Sequence, residues 1–219
     1  TAQKILMVAV IAIDGPASVG KSTIAKKIAK QFASPILFSG RLYRAVALEI
    51  IKKRIDLNNE TLILKVLDTL KYNDLNSPEL FSSNVDKVSS EISTKAYLRE
   101  KLLKYQRAFP IKFGKGKKFT IIEGRDIATV VFPKAKYKIF MWADPKIRAK
   151  RRNEQIKKNG GNLSFKRVYN EICARDKKDF NRSIAPLKPD VNSVLIDTSY
   201  LDIEQVFNVV KDILSNKRL

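Results

Sequence analysis

Short apolar runs alternate with longer segments in which apolar residues recur at helical spacing, and this alternation extends along most of the chain. The runs are rich in β-branched residues and are bounded by polar or turn-forming residues, which is typical of strands buried on both faces. The pattern predicts five strands, at Met7–Ile13, Ile36–Phe38, Phe119–Ile122, Tyr137–Trp142 and Val194–Ile196.

Helical periodicity occupies much of the chain between these strands. Helices are predicted at 22–32, 42–54, 62–70, 144–158, 164–178 and 202–214, with a mostly helical stretch at 78–107 and a turn-rich one at 72–77. Strands that alternate with helices predict a parallel sheet with right-handed crossovers. The pair Asp144-Pro145 marks a helix start, and Gly160-Gly161 separates two strongly charged helices. Because both helices carry arginines, this hairpin is a candidate for a hinged lid.

The composition narrows the chemistry. The chain has 219 residues, of which 44% are hydrophobic, and this suits one folded domain with small insertions. Histidine is absent, which excludes a Ser-His-Asp triad and a histidine-ligated zinc site. Cys173 alone cannot form an internal disulfide, so we expect a reduced, cytoplasmic setting. The longest apolar run, Ile5–Ile13, is far shorter than the roughly 20 residues of a bilayer span, so we expect no membrane partner.

The chain is strongly basic, with 43 Lys and Arg against 22 Asp and Glu and a formal net charge of +21. Such an excess attracts anions, so nucleic acids, anionic membranes and phosphorylated small molecules are all candidates. The basic residues are densest between Arg99 and Lys118, and residues 112–118 form a predicted basic loop. A solvated lysine-rich surface explains most of the excess, so charge alone identifies no partner.

The segment Gly15-Pro16-Ala17-Ser18-Val19-Gly20-Lys21-Ser22 matches the phosphate-binding pattern G-x-x-x-x-G-K-[ST] and lies between a predicted strand and a predicted helix. Glycines let successive backbone N–H groups face phosphate oxygens, and the helix N-terminus adds partial positive charge. Lys21 is placed to reach the β and γ phosphates, and Ser22 to ligate Mg²⁺. The motif therefore predicts a nucleoside triphosphate, without separating a GTPase, a motor ATPase and a small-molecule kinase.

Three further groups of charged residues are candidates for binding an acceptor. Residues 39–44 open the helix after the second strand, and residues 123–126 follow the third strand, at the sheet edge where open α/β sheets bind ligands. Arg175, Asp179 and Arg182 recur at spacings of four and three, so they share one helical face. Taken alone, each group also fits an ordinary solvated surface or a salt-bridge ladder.

Taken together, five segments in order along nearly the whole chain carry a family resemblance. They are Ile13-Asp14-Gly15-Pro16…Gly20-Lys21-Ser22-Thr23, Ser39-Gly40-x-x-Tyr43-Arg44-Ala45, Gln106-Arg107-Ala108-Phe109, Gly124-Arg125-Asp126-Ile127-Ala128-Thr129-Val130-Val131-Phe132-Pro133, and Arg175-Asp176…Asp179…Asn181-Arg182…Ala185-Pro186-Leu187. With these segments the chain resembles the bacterial cytidylate kinases.

The resemblance implies a P-loop nucleoside monophosphate kinase fold. This is an α/β fold, with a five-stranded parallel sheet flanked by helices, a small acceptor-binding insertion and a helical lid. It also implies an enzyme of pyrimidine nucleotide metabolism, a transferase that phosphorylates CMP and dCMP to CDP and dCDP with ATP as co-substrate and Mg²⁺ as cofactor.

Site residues follow from the loop motif, the lid pattern and the resemblance. The residues predicted to bind ATP are Gly15, Pro16, Ala17, Ser18, Val19, Gly20, Lys21, Ser22, Thr23, Arg148, Arg151 and Arg152. The residues that the resemblance places on CMP are Ser39, Tyr43, Arg44, Ser90, Arg99, Arg125, Asp126, Arg175, Asp179 and Arg182. Within this set the resemblance assigns the acceptor phosphate to Ser39, Arg44, Arg125 and Arg182, the sugar to Arg175 and Asp179, and cytosine to Arg99 and Asp126. The predicted catalytic residues are Lys21, Arg125, Asp126 and Arg182, and Ser22 would ligate Mg²⁺ with Asp14 or Glu123 acting through water.

Four positions depart from the pattern of the family. Phe38 stands where the family usually has Asp, and Arg41 replaces a small residue. Glu123 replaces an Asp and reaches one methylene further, and Ala128 replaces a Gly. These changes, with a short insertion before Arg99, leave the preference among CMP, dCMP and UMP open.

We predict a single monomeric kinase domain over 1–219. Its core comprises 5–69, 119–145 and 190–219, its acceptor-binding insertion 70–118, and its lid with an acceptor-contacting helix 146–189. Two alternatives remain: another P-loop nucleoside monophosphate kinase, acting on UMP, AMP or thymidylate, and an NTPase stimulated by nucleic acid. The chain lacks the aromatic-interleaved basic strands of a single-strand platform, so we do not expect a nucleic acid partner.

Overall fold

Five strands form one sheet in the computed structural model of the protein, which describes residues 8–158 and 160–215. The strands are β1 (Ala9–Asp14), β2 (Ile36–Phe38), β3 (Phe119–Glu123), β4 (Tyr137–Trp142) and β5 (Val194–Asp197). Their order is β2-β3-β1-β4-β5, and the pairings of β1 with β3, β1 with β4 and β4 with β5 are parallel. The predicted fold class is therefore confirmed. Met7, the predicted start of the first strand, lies outside the described residues.

Helices follow the predicted positions closely. They are α1 (Lys21–Gln31), α2 (Ser39–Lys52), α3 (Glu60–Thr69), α4 (Ser83–Ile92), α5 (Ala96–Phe113), α6 (Pro145–Lys158), α7 (Phe165–Asn181) and α8 (Ile203–Ser215). Short 3-10 turns occupy Tyr72–Asn76 and Pro78–Phe81, between α3 and α4. No helix among the residues described in the structure is long and apolar enough to cross a membrane.

One sequence prediction fails at the end of α5. The basic loop was predicted from residue 112, but the helix continues through Pro110 and ends at Phe113, so the loop begins at Gly114. Proline removes its own N–H from the helix but keeps its carbonyl. The N–H of Gly114 donates to the Pro110 carbonyl oxygen at 2.8 Å, which closes the last turn.

The described residues fall into two compact units. The first unit comprises the described residues of 1–36 and 110–219, and the second comprises 37–109. One boundary falls within β2, after Ile36, and the other within α5, after Phe109. In the first unit α6 packs along α7 and α1 packs on α8, and in the second α2 packs against α3 and α4. The finer division into core, insertion and lid stays a prediction.

The core of the first unit is centred on β1. Ile11 and Ile13 are completely buried, and their neighbours across the sheet, Ile121 and Ile139, are completely buried as well. A parallel strand that is covered on both faces needs apolar residues at every position, so an unbroken apolar run specifies it. The run ends at Asp14, where the chain leaves the sheet and enters the glycine-bounded loop.

Gly15 marks the tightest backbone contact in this region. Its φ is +145°, and a Cβ built on it would lie 2.1 Å from the carbonyl oxygen of Met141 on β4. Both the backbone angle and the close approach exclude a side chain. The first glycine of the loop is therefore required by the packing of β1 against β4.

We predict that Gly15→Ala destabilises the protein by about 1–3 kcal/mol, the usual cost of forcing an extra carbon into a packed interior. Gly40→Ala is the matched control, because no described atom lies within 4 Å of a Cβ at Gly40, in the first turn of α2. Ala is about 1 kcal/mol more favourable than Gly inside a helix, so the control should keep or raise the melting temperature. Thermal unfolding followed by circular dichroism measures both. Equal melting temperatures for the two variants would contradict the packing argument.

Candidate active site

The loop between β1 and α1 surrounds the N-terminus of α1. Gly20 precedes the helix with a φ of +102°, and Lys21 and Ser22 are the first helical residues. No side chain among the described residues caps this helix end, whereas Asn59 and Ser164 cap α3 and α7. Uncapped N–H groups at a helix N-terminus attract an anion. The loop therefore has the geometry that its sequence motif predicts.

Lys21 is held inside the loop and is only 4% exposed. Its Nζ donates to the carbonyl oxygen of Pro16 at 2.7 Å and lies 3.7 Å from Oε1 of Glu123. Burial lowers the pKa of Lys21 to about 7, and the positive charge of Arg125 acts in the same direction. A lysine whose pKa is lowered in this way regains its positive charge when a polyanion binds beside it.

Glu123 connects the loop with the end of β3. Its Oε2 accepts a hydrogen bond from the Ser22 hydroxyl at 2.9 Å, while its Oε1 faces Lys21. Because β3 pairs directly with β1, Glu123 at the end of β3 lies close enough to contact Ser22 at the start of α1. One carboxylate thus contacts both side chains that the motif assigns to phosphate and metal binding.

Asp14 has a different role from Glu123. It is 1% exposed, and its two carboxylate oxygens accept the backbone N–H groups of Ile127, at 2.9 Å, and Ala128, at 2.7 Å. Burial raises the pKa of Asp14 to about 7, although the two N–H groups favour the ionised form. Asp14 therefore holds the single π-helical turn Ile127–Val131 that follows Asp126. Sequence analysis missed this contact, which joins residues more than 110 positions apart.

The first unit brings four predicted acceptor-binding residues together. Nε of Arg125 donates to Oδ2 of Asp179 at 3.1 Å, and Nη2 of Arg182 lies 3.8 Å from Oδ1 of Asp126. Burial alone would raise the pKa of Asp179, but Arg125, Arg175 and Arg182 together hold it below its usual value. Burial would likewise lower the pKa of Arg125, but Asp179 and Glu123 raise it. The residues after β3 and those at the end of α7 thus form one cluster of alternating charge.

The second unit carries five further predicted acceptor residues, and Arg175 lies on α7 of the first unit. Arg44 donates to the Leu80 carbonyl oxygen at 2.8 Å and forms an ion pair with Asp86. Ser39 accepts a hydrogen bond from the Gln106 side chain at 2.5 Å. Tyr43 lies on α2, and the centroid of its ring is 5.8 Å from the guanidinium carbon of Arg99. Ser90 is half-buried on α4.

Two of the departures from the family pattern contact each other. The guanidinium of Arg41 lies 4.3 Å from the centroid of the Phe38 ring and 5.4 Å from that of Phe81. It also donates to the Leu75 carbonyl oxygen at 3.1 Å and to the Asn76 side chain at 3.2 Å. An Arg on an aromatic face is a favourable pair. Phe38 and Arg41 thus contact each other, and Arg41 also holds the 3-10 turn Tyr72–Asn76 against α2.

The three predicted lid arginines differ in their surroundings. Arg148 is completely buried and forms a bidentate pair with Asp176. Arg151 donates to the side chain and the carbonyl oxygen of Thr198, and burial lowers its pKa. Arg152 donates to the Gln155 side chain at 3.0 Å. Their contact with ATP stays a prediction.

Comparison with known proteins gives a family and close relatives. The family model described as cytidylate kinase matches residues 11–216. The cytidylate kinase of Bradyrhizobium sp. (strain ORS 278) is 38% identical over 209 residues, which cover 95% of this chain and 97% of that protein. The cytidylate kinase of Mycoplasmopsis synoviae (strain 53) is 39% identical over 207 residues, which cover 91% of this chain and 95% of that protein.

Solved structures resemble this fold at low sequence identity. A protein from Eubacterium ventriosum, described as uncharacterized, has a TM-score of 0.53 at 13% identity and covers 95% of this chain and 98% of its own. The protein TT1252 from Thermus thermophilus has a TM-score of 0.50 at 16% identity, with coverage of 95% and 98%. Similarity at this level supports the arrangement of strands and helices alone.

We predict that binding of a nucleoside triphosphate takes up protons. With the pKa of Lys21 at about 7, the Lys21 side chain is neutral in about half of the protein molecules near pH 7, and bound phosphates restore its charged form. Calorimetric titration in buffers of different ionisation enthalpy should show an uptake of about half a proton near pH 7 and more near pH 8. Most of this uptake should be lost in Lys21→Met. An unchanged uptake in that variant would contradict the assignment to Lys21.

Proposed function

The chain belongs to the cytidylate kinase family, and we propose that it transfers the γ-phosphoryl group of ATP to the 5′-phosphate of CMP or dCMP. The observation that carries the proposal is the continuity of the site around the end of β3. Glu123 contacts Lys21 and Ser22 of the phosphate loop, and the residues that follow it, Arg125 and Asp126, join the charged cluster of α7. This continuity supports a donor site and an acceptor site next to each other at one end of the sheet.

Binding of the donor rests on the phosphate loop. Backbone N–H groups at the start of α1 would bind the phosphate oxygens, and Lys21 would neutralise the β and γ phosphates once it regains its proton. The burial that lowers the pKa of Lys21 also keeps water away from the ammonium group, so its attraction for phosphate is weakly screened. These groups position the triphosphate and stabilise the charge that develops during transfer.

Ser22 and Glu123 fit a magnesium ion bound with the nucleotide. Mg²⁺ takes oxygen ligands and usually keeps several waters, with one or two ligands from the protein and others from the phosphates. The Ser22 hydroxyl would supply one such ligand, and a Glu123 oxygen, 2.9 Å from it, would act through a water, while both oxygens of Asp14 bind backbone N–H groups. Among the residues that the structure describes, there is no group of three or more Asp, Glu, Cys or His side chains that could hold a metal ion. When bound, the ion would neutralise charge on the transferring phosphoryl group.

On the acceptor side, Arg125 and Arg182 would bind the 5′-phosphate, since an Arg fork matches phosphate oxygens. Asp126 would accept a hydrogen bond from the N4 amino group of cytosine. Uracil has a carbonyl in place of that amino group, so a second acceptor would face the buried Asp126 carboxylate. The acceptor phosphate oxygen is already anionic, so the transfer needs no histidine base.

The wider assignment follows from the same proposal. ATP and CMP are then the partners, the role is in pyrimidine nucleotide metabolism, and the protein acts as a cytoplasmic monomer without nucleic acid. Another nucleoside monophosphate as the acceptor is the remaining alternative, because Phe38 and Arg41 replace the residues usual in the family.

We predict that Lys21→Ala and Arg182→Ala each lower turnover by at least about 100-fold, as expected for a group that stabilises transition-state charge. Both variants should keep the circular dichroism spectrum of the parent. Lys26→Ala, an exposed change on the same helix as Lys21, should keep normal turnover. Normal activity in well-folded Lys21→Ala protein would disprove the mechanism.

A panel of nucleoside monophosphates tests the acceptor directly. With ATP and Mg²⁺, we expect CMP and dCMP to have kcat/KM values at least about 100-fold above those of UMP and dTMP, because a carbonyl of these bases would face the buried Asp126 carboxylate. We expect AMP to be a poorer acceptor as well, because its purine is larger than cytosine. Formation of ADP in a coupled assay measures each rate. A preference for another monophosphate, or stimulation by RNA in place of CMP, would overturn the proposed substrate.

A further inference from the structure

Arg148 is the largest charged residue in the described chain with no solvent exposure. Its guanidinium makes four hydrogen bonds within the protein. Nε donates to the carbonyl oxygen of Ala143 at 2.8 Å, and Nη1 donates to that of Ala17 at 3.2 Å. Nη1 and Nη2 form a fork with the carboxylate of Asp176, at 3.1 and 2.5 Å.

The partners of Arg148 belong to three different segments of the first unit. Ala17 lies in the phosphate loop, Ala143 directly follows β4, and Asp176 lies on α7. Asp176 is the neighbour of Arg175 and is one helical turn before Asp179. Arg148 therefore joins the loop that would hold the donor to the helix that would contact the acceptor.

This environment argues against direct contact of Arg148 with ATP, the role predicted from the sequence. Four of the five N–H groups of a guanidinium are used by these bonds. A buried ion pair is a poor source of stability, because desolvation offsets much of its attraction. A guanidinium that bonds to three segments does, however, fix their relative positions, since its hydrogen bonds are directional.

Building on the proposed function, we propose that Arg148 and Asp176 are positioning residues that couple donor binding to acceptor binding. Phosphate binding draws the loop amides inward and fixes the Ala17 carbonyl. The rigid fork then fixes Asp176, and with it the stretch of α7 that carries Arg175 and Asp179. Neither member of the pair contacts a nucleotide, so its effect appears as linkage between the two binding sites.

The test measures CMP binding by calorimetry with and without a non-hydrolysable ATP analogue and Mg²⁺. In the parent protein the analogue should tighten CMP binding by at least about fivefold, the lower end of typical coupling between sites. In Arg148→Met/Asp176→Asn, which removes both charges together and leaves no unpaired buried ion, this factor should fall to about one. CMP affinity without the analogue should change by less than about threefold, which separates coupling from simple loss of structure.

Two conservative variants keep the test decisive if the double variant folds poorly. Arg148→Lys retains the positive charge but cannot form the fork, and Asp176→Glu retains the negative charge but shifts it by one methylene. Both should lose most of the coupling. Retained coupling in Arg148→Lys would mean that charge alone matters, and the proposal would be wrong. The matched control is Arg167→Met/Glu171→Gln, which removes an exposed ion pair of α7 and should keep the coupling of the parent.

The remaining outcomes are equally clear. An uncoupled parent protein, or a double variant with the coupling of the parent, overturns the positioning role even if CMP is phosphorylated normally. If the parent phosphorylates a different monophosphate, the proposed substrate is wrong. The same coupling measurement with that acceptor then decides the role of Arg148 and Asp176 independently.

Discussion

The site depends on one buried carboxylate at the end of the central strand. Asp14 accepts two backbone N–H groups from the turn at Ile127–Val131, and this fixes the chain that follows β3 beside the phosphate loop. Arg125 and Asp126, which precede the turn, owe their place to this contact. Burial makes the ionised carboxylate costly, so the two hydrogen bonds are a condition for placing a charge there. The contact therefore ties the segment that follows β3 to the end of β1, next to the phosphate loop.

The charged residues fall into two classes, those that are buried and those at the surface. Buried charged groups such as Lys21, Arg125 and Arg148 each contact a carboxylate, because an isolated charge is unstable away from water. Most of the +21 excess belongs to lysines on the surface and contributes nothing specific to the site. Under the proposed function, phosphates would join the carboxylates as partners of Lys21 and Arg125, whereas Arg148 would keep its pair with Asp176. A strongly basic chain is therefore compatible with a small-molecule enzyme.

Family membership leaves room for differences in this particular chain. Phe38 and Arg41 each look like an isolated departure in the sequence, but the structure brings them into contact as a cation–π pair. Glu123, another departure, is long enough to contact Ser22 and Lys21 at once. Changes of this kind adjust the surroundings of the site while the phosphate loop stays intact.

The sequence by itself determined the five strands, the phosphate loop and the family, because apolar runs and a contiguous motif are local signals. It also gave the group of residues around Arg125 and Arg182, although only by resemblance. Tertiary structure alone decided that Asp14 holds a turn, that Glu123 faces Ser22, and that Arg148 is buried against Asp176. The physical reason is that each of these contacts joins residues that are far apart in the chain. Local periodicity does not predict which carboxylate a buried cation will contact.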